Sequence, residues 1–293
     1  MWLCWLAMRE ARIAEERMPV IEREGQRLFF EKIDVTAPWV AEPETILFHH
    51  GIGTTSGLWA DWLPVLASAY RLVRLDMRGF GQSPAHAASW SWQALAADVL
   101  AVADAAGLSR FHFVGESIGG TLGLYMAIHH GERLLSLTVS NGAHRGTAVK
   151  NVDPWREMIE RDGQAAWSRQ LMQWRFHPDA LTEVQYDWFH GVQSTCSVDA
   201  TLGLAQLLLD ADLTGEVSKV RVPTLLLCPD DSPFIPVAIS VDLYQRLPDA
   251  ELQVFAHTRH GLPYSHGSRC AAVLKRFLAR RFASGASVNR PRA

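Results

Sequence analysis

The sequence predicts an α/β fold built on a mainly parallel, eight-stranded sheet with helices on both faces. Three observations lead there. Short apolar runs alternate with helical stretches along most of the chain, as in sheets whose strands are buried on both sides. Gly115-Glu116-Ser117-Ile118-Gly119-Gly120 follows one such run and opens a helical stretch, so its serine falls at a strand-to-helix turn. Other glycine-rich and charged motifs follow further apolar runs, at the carboxyl ends of strands, where ligands of such sheets bind.

Taken in order, 20–24 and 27–33 read as strands joined by a hairpin turn at Gly25-Gln26. A strand is expected at 45–49, a helix at 58–69, a strand at 70–75 and a helix at 92–105 ending near Gly107. Strand 111–114 leads into the serine turn, and a helix over 121–129 leads to strand 134–140. Between about 142 and 212 the alternation stops. That stretch reads as helices alone, rich in aromatics (Trp155, Trp167, Trp174, Phe176, Trp188, Phe189), and is expected to be a cap over the sheet. Strands at 224–228 and 252–255 and a closing helix at 270–282 complete a core formed by 18–141 and 213–283. Residues 1–17 read as an extension, either a product of an upstream start codon or a loosely attached helix; a membrane-surface or partner-binding face through Trp2, Trp5, Leu6 and Ile13 is the other reading. Residues 284–293, small and polar, are expected to be disordered.

Composition narrows the function. With 293 residues, 48% of them hydrophobic, the chain can bury a large core. A net charge of −3 with no basic stripe argues against a nucleic-acid partner. No apolar run is long enough for a membrane span. The four cysteines (Cys4, Cys196, Cys228, Cys270) lack metal-ligand spacing and read as free thiols in a reducing compartment, so they point to no metal site. A small-molecule substrate and a cytoplasmic location are the default expectations, with a homo-oligomer left open.

Five pieces carry the chemistry. Ser117 is the expected nucleophile, held exposed by a turn so tight that its neighbours two residues away must be glycine. His50-Gly51-Ile52-Gly53 follows a strand and can present the Ile52 N–H; with the Ile118 N–H at the start of a helix it would make an oxyanion hole. Asp76-Met77-Arg78-Gly79-Phe80-Gly81-Gln82-Ser83 looks like a structural brace. Cys228-Pro229-Asp230-Asp231-Ser232-Pro233 offers a carboxylate to orient a histidine, from Asp231 or alternatively from Asp230. His260, flanked by His257 and His266, follows the last strand and can carry the serine proton.

Together these pieces resemble the α/β-hydrolase fold family over about residues 26–282. The order Ser, Asp, His is that of the family. The resemblance implies a triad Ser117–His260–Asp231 with oxyanion donors at Ile52 and Ile118. The chain is most similar to the 3-oxoadipate enol-lactonase-like group, through its cap length and the run Asp210-Ala211-Asp212-Leu213-Thr214 leading into 222–226. Three departures stand out. Cys228 replaces a usual glycine, Ser232 looks like an extra residue before the proline, and Glu116 stands where relatives often carry His, Leu or Asn. Glu116 is expected to point aside and hydrogen-bond within the sheet end; the alternative is a carboxylate that tunes the site electrostatically from beside the nucleophile. The implied activity is cofactor-free hydrolysis of an ester, lactone or related acyl bond of a medium-sized apolar or aromatic molecule, with Trp155, Trp174 and Trp188 as candidate substrate contacts. C–C bond hydrolysis, or cofactor-free haloperoxidase (perhydrolase) activity, would use the same residues. A ligand-binding receptor on a hydrolase scaffold is the alternative outside the enzymes. A serine nucleophile argues against the haloalkane dehalogenase and epoxide hydrolase branches, which use Asp there.

Overall fold

The computed structural model describes residues 20–84 and 90–282, so the expectations for 1–17 and 284–293 lie outside the described residues. Eight strands form one sheet: β1 (Val20–Arg23), β2 (Gln26–Ile33), β3 (Thr45–His49), β4 (Arg71–Leu75), β5 (Phe111–Glu116), β6 (Leu134–Ser140), β7 (Thr224–Pro229) and β8 (Ala250–Phe255). Their spatial order is β1-β2-β4-β3-β5-β6-β7-β8. β2 pairs antiparallel with β1 and β4, and every other neighbouring pair is parallel.

Burial on both faces explains the apolar runs. All five residues of β3 are buried. Ile46 and Phe48 pack on one side with Trp59, Trp62 and Phe277, while Leu47 packs on the other with Leu95 and Leu122. β7 divides the same way, Leu225 and Leu227 against Leu226, as the period of two along a strand requires.

The helices close these two layers. The stretch expected as one helix over 58–69 is a 3₁₀ segment, Ser56–Trp62, followed by the short α1 (Leu63–Leu66). Pro64 sits near the start of α1, where its missing N–H is tolerated, whereas a longer helix through it would lose a hydrogen bond. α2 (Trp92–Ala105) is opened by Ser91, whose hydroxyl accepts the Ala94 N–H, and is followed by Gly107 at φ +77 in the left-handed region. α3 (Ile118–His129) follows β5 directly. Four helices lie between β6 and β7: α4 (Trp155–Asp162), α5 (Gln164–Arg175), α6 (Glu183–Thr195) and α7 (Val198–Leu209). Three more follow β7: α8 (Val237–Arg246), which the sequence reading did not include, α9 (Leu262–Ser265), and α10 (Gly267–Phe282). α10 buries Leu274, Phe277 and Leu278 on one stripe and places Arg280 and Arg281 in its last turn, beside the negative end of the helix dipole.

The strand order sets the place of the site. The chain moves from β3 outward to β4, then returns past β3 to β5. Adjacent strands that continue in opposite directions leave a crevice at their carboxyl ends. His49 of β3 pairs with Gly115 of β5, so the turns after these two strands face each other across that crevice.

Candidate active site

Ser117 sits between β5 and α3 with φ 54 and ψ −119, a conformation that side chains other than glycine rarely adopt. The two nearby glycines make it feasible. A Cβ on Gly115 would fall 2.1 Å from the Gly119 carbonyl oxygen, and one on Gly119 would fall 2.6 Å from the His49 carbonyl oxygen. The Ser117 N–H donates to the Ser140 carbonyl at 2.8 Å, tying the turn to β6. Ile118, the first residue of α3, has no carbonyl one turn back to receive its N–H. Across the crevice, the 50–53 turn is braced by His50, whose Nε2 accepts the Met77 N–H at 2.9 Å. The 76–83 loop is braced likewise. Asp76 accepts the N–H groups of Ser56 (2.7 Å) and Gln82 (2.9 Å), and Arg78 makes a two-pronged buried ion pair with Asp98.

His260 lies on the loop between β8 and α9, with Nε2 3.2 Å from Ser117 Oγ. Its other nitrogen, Nδ1, is 3.3 Å from Ser232 Oγ. Neither candidate aspartate reaches it. Asp231 is 60% exposed and pairs with Arg259 at 3.1 Å. Asp230 accepts the N–H groups of His257 (2.8 Å) and Thr258 (2.9 Å) and closes the loop after β8. The expected acid at Asp231, with Asp230 as its alternative, is thus corrected. β7 runs one residue beyond the apolar run, with Pro229 still paired to Phe255, so the turn is displaced by one and brings Ser232 to the histidine.

Glu116 also departs from expectation. It does not turn aside: its Oε1 lies 3.6 Å from His260 Nε2, with the carboxylate buried. A Cβ on Gly51 would fall 1.9 Å from Glu116 Oε2, so the carboxylate occupies room that only a glycine leaves free. Burial pushes the Glu116 carboxyl up to about 7, against the opposing pull of the Arg175 guanidinium and the Gly51 N–H. Burial, reinforced by Arg175, drives the His260 imidazole well below its usual range. At neutral pH His260 is therefore neutral and able to accept a proton.

Ser117, His260 and Arg175 line a pocket together with Ile52, Trp155 and Phe234, among others. Its cavity volume is about 20 Å³, room for about one water molecule. Arg175, from the end of α5, is buried with Nη2 donating to the Ile52 carbonyl at 2.9 Å, and so joins the helices between β6 and β7 to the glycine-rich turn. Among the described residues, no group of three or more His, Cys, Asp or Glu side chains could hold a metal ion, and no helix is long and apolar enough to cross a membrane.

Comparison with known proteins fits this geometry. Residues 44–266 match the family described as "alpha/beta hydrolase fold". The chain belongs to the α/β-hydrolase fold family. A relative from Pantoea ananatis (strain LMG 20103), named "Putative carbamate hydrolase RutD", is 28% identical over 247 residues, covering 82% of this chain and 90% of the relative. The enol-lactonase from Burkholderia xenovorans LB400 superposes with a TM-score of 0.82 at 21% identity, covering 89% of this chain and all of that one (100%). The esterase EaEST from Exiguobacterium antarcticum gives a TM-score of 0.80 at 20% identity, covering 89% and 98%.

Within this α/β-hydrolase, the structure brings Ser117, His260, Ile52 and Ile118 together, and separates the three aromatic candidates. Trp155 lines the pocket. Trp174 packs edge-on against Phe234, with ring centroids 5.9 Å apart, and Trp188 stacks on Tyr264 at 5.4 Å; neither lines the pocket. Sequence reasoning missed Arg175, Phe234 and Ser232. Arg175 carried a signal, as a cation in an aromatic-rich stretch; Ser232 carried one too, as the extra residue before the proline that leaves the position of the acid open. The molecule also holds a second Ser–His–carboxylate string: Ser136 Oγ is 2.9 Å from His112 Nδ1, and His112 Nε2 is 3.0 Å from Glu44. Ser136 is fully buried inside β6, with no strained turn and no helix start beside it, so residue types alone do not make a site.

Proposed function

We propose that this α/β-hydrolase cleaves an ester, lactone or carbamate-type acyl bond of a small, largely apolar molecule through an acyl-Ser117 intermediate. The observation that carries this reading is the strained Ser117 with its hydroxyl 3.2 Å from a buried, neutral His260. His260 Nε2 takes the serine proton as Oγ attacks the carbonyl carbon. The N–H groups of Ile52 and Ile118 receive the oxygen that becomes negative, each such donor contributing about 3 kcal/mol in comparable sites. The leaving group takes the proton from His260, and a water activated by the same histidine then releases the acid. Phe234, whose ring centroid is 4.9 Å from that of His260, keeps solvent off the imidazole.

Helices α4–α7 act as a cap in this reading, supplying Trp155, Arg175 and Leu208 to the pocket wall. The small cavity favours a compact substrate, smaller than the medium-sized molecule expected from the aromatic content. The names of the similar proteins, a carbamate hydrolase and an enol-lactonase, support acyl chemistry. The test is p-nitrophenyl acetate hydrolysis by the wild type and by Ser117→Ala. Turnover in the wild type that falls at least about 1000-fold in the variant is expected; equal rates would exclude Ser117 as the nucleophile.

A further inference from the structure

We propose that Glu116 supplies the negative charge that balances His260 when it is protonated during the reaction, in place of an aspartate after β7. The inference rests on the reading of Ser117 as the nucleophile. A histidine that takes a proton in a buried site needs a nearby anion, because a lone buried charge is costly. Asp230 and Asp231 are engaged elsewhere, and Ser232, the group at Nδ1, is neutral. Glu116 is the buried carboxylate beside the ring, 3.6 Å from Nε2. Its position is fixed by the chain itself: it is the last residue of β5, paired with Ser140, and immediately precedes the nucleophile.

The step balances without any other group. The Ser117 proton moves to Nε2 as the Oγ–carbon bond forms and the carbonyl electron pair passes to oxygen. The new N–H lies between Oγ and Glu116 Oε1, while the Nδ1 proton faces Ser232. Glu116 remains a carboxylate throughout, and the proton leaves with the departing group. Glu116 is thus a positioning residue that acts through His260. The charged and titratable groups facing it are Arg175 from α5 and His260 from the loop after β8. Arg175 holds the carboxyl low enough to ionise near neutral pH despite its burial.

The test follows phosphonylation of Ser117 by a small alkyl fluorophosphonate, read by intact mass across pH for the wild type, Glu116→Gln, Glu116→Asp and the double variant Glu116→Gln/Ser232→Asp. In the wild type the rate should rise with pH through about 7, where Glu116 ionises. Glu116→Gln should be slower by on the order of 100-fold and lose that rise. Glu116→Asp, which keeps the charge, should retain the rise. The double variant, which restores a carboxylate at Nδ1, should recover about tenfold. Glu116→Gln labelling within about threefold of wild type, with the same pH profile, would overturn the inference while leaving the hydrolase reading intact. Should Glu116→Gln fail to fold, a wild-type rate that is flat between about pH 6 and 8 would overturn it equally. A wild type that is never labelled at Ser117 would remove the nucleophile reading and this inference with it.

Discussion

Ser232 changes what His260 can be. A carboxylate at Nδ1 only accepts hydrogen bonds, so it fixes the proton there and leaves Nε2 free for the nucleophile. A hydroxyl can donate or accept. Ser232 Oγ also accepts the Ile235 N–H at 3.2 Å, which leaves a lone pair for the Nδ1 proton but adds no charge. Glu116 supplies the charge at a cost in stability. Its carboxyl is held at about 7 in the folded protein by burial, above its ordinary value of 4.5. A group raised in the folded state stabilises below its unfolded value and loses that contribution as pH rises through the folded one. Wild-type stability relative to Glu116→Gln should therefore fall between about pH 4.5 and about 7, by up to about 1.4 kcal/mol per pH unit, and level off above. Urea denaturation of both proteins across this range checks it; a constant difference would mean Glu116 titrates normally.

At the scale of elements, most of the fold was legible because buried parallel strands leave long apolar runs. β3 and β6 fall at the residues expected, and α2 spans 92–105 as read. Ser117 was legible for the same reason: its glycines answer a steric demand that only a strand-to-helix turn makes. The acid was not legible, because its position depends on where β7 ends. Apolar character ends at Cys228, but hydrogen bonding to β8 continues through Pro229, and one residue of difference exchanges Asp231 for Ser232. For Glu116 the sequence left two readings open, since nothing in its neighbours reveals that Gly51 leaves it a space beside His260. The correction is testable. Asp231→Asn should change p-nitrophenyl acetate turnover by less than about threefold, the range of a surface substitution whose ion pair with Arg259 is exposed. A loss of 1000-fold or so would restore Asp231 to the triad.

Across the whole molecule, one crevice gathers residues from distant parts of the chain: Ile52 after β3, Ser117 after β5, Arg175 from α5, Ser232 after β7 and His260 after β8. The sheet order brings these ends together, while the Ser136–His112–Glu44 string, away from that crevice, has the residue types without the turn, the helix start or the pocket. The helices between β6 and β7 leave a cavity of only about 20 Å³ beside Ser117. In the proposed reading, admission of substrate then depends on its size. A fluorophosphonate with a bulky branched alkoxy group should label Ser117 more slowly than an ethyl analogue, by about an order of magnitude; equal rates would show a site more open than this one.

The central claim is that Ser117 carries the acyl group between two steps of a hydrolysis. Intact-mass analysis of protein quenched during p-nitrophenyl acetate turnover, with peptide mapping of any adduct, tests it most directly. One acetyl group on Ser117 in the wild type, absent from Ser117→Ala, is the expected result. An adduct that persists elsewhere in Ser117→Ala with activity intact would contradict it.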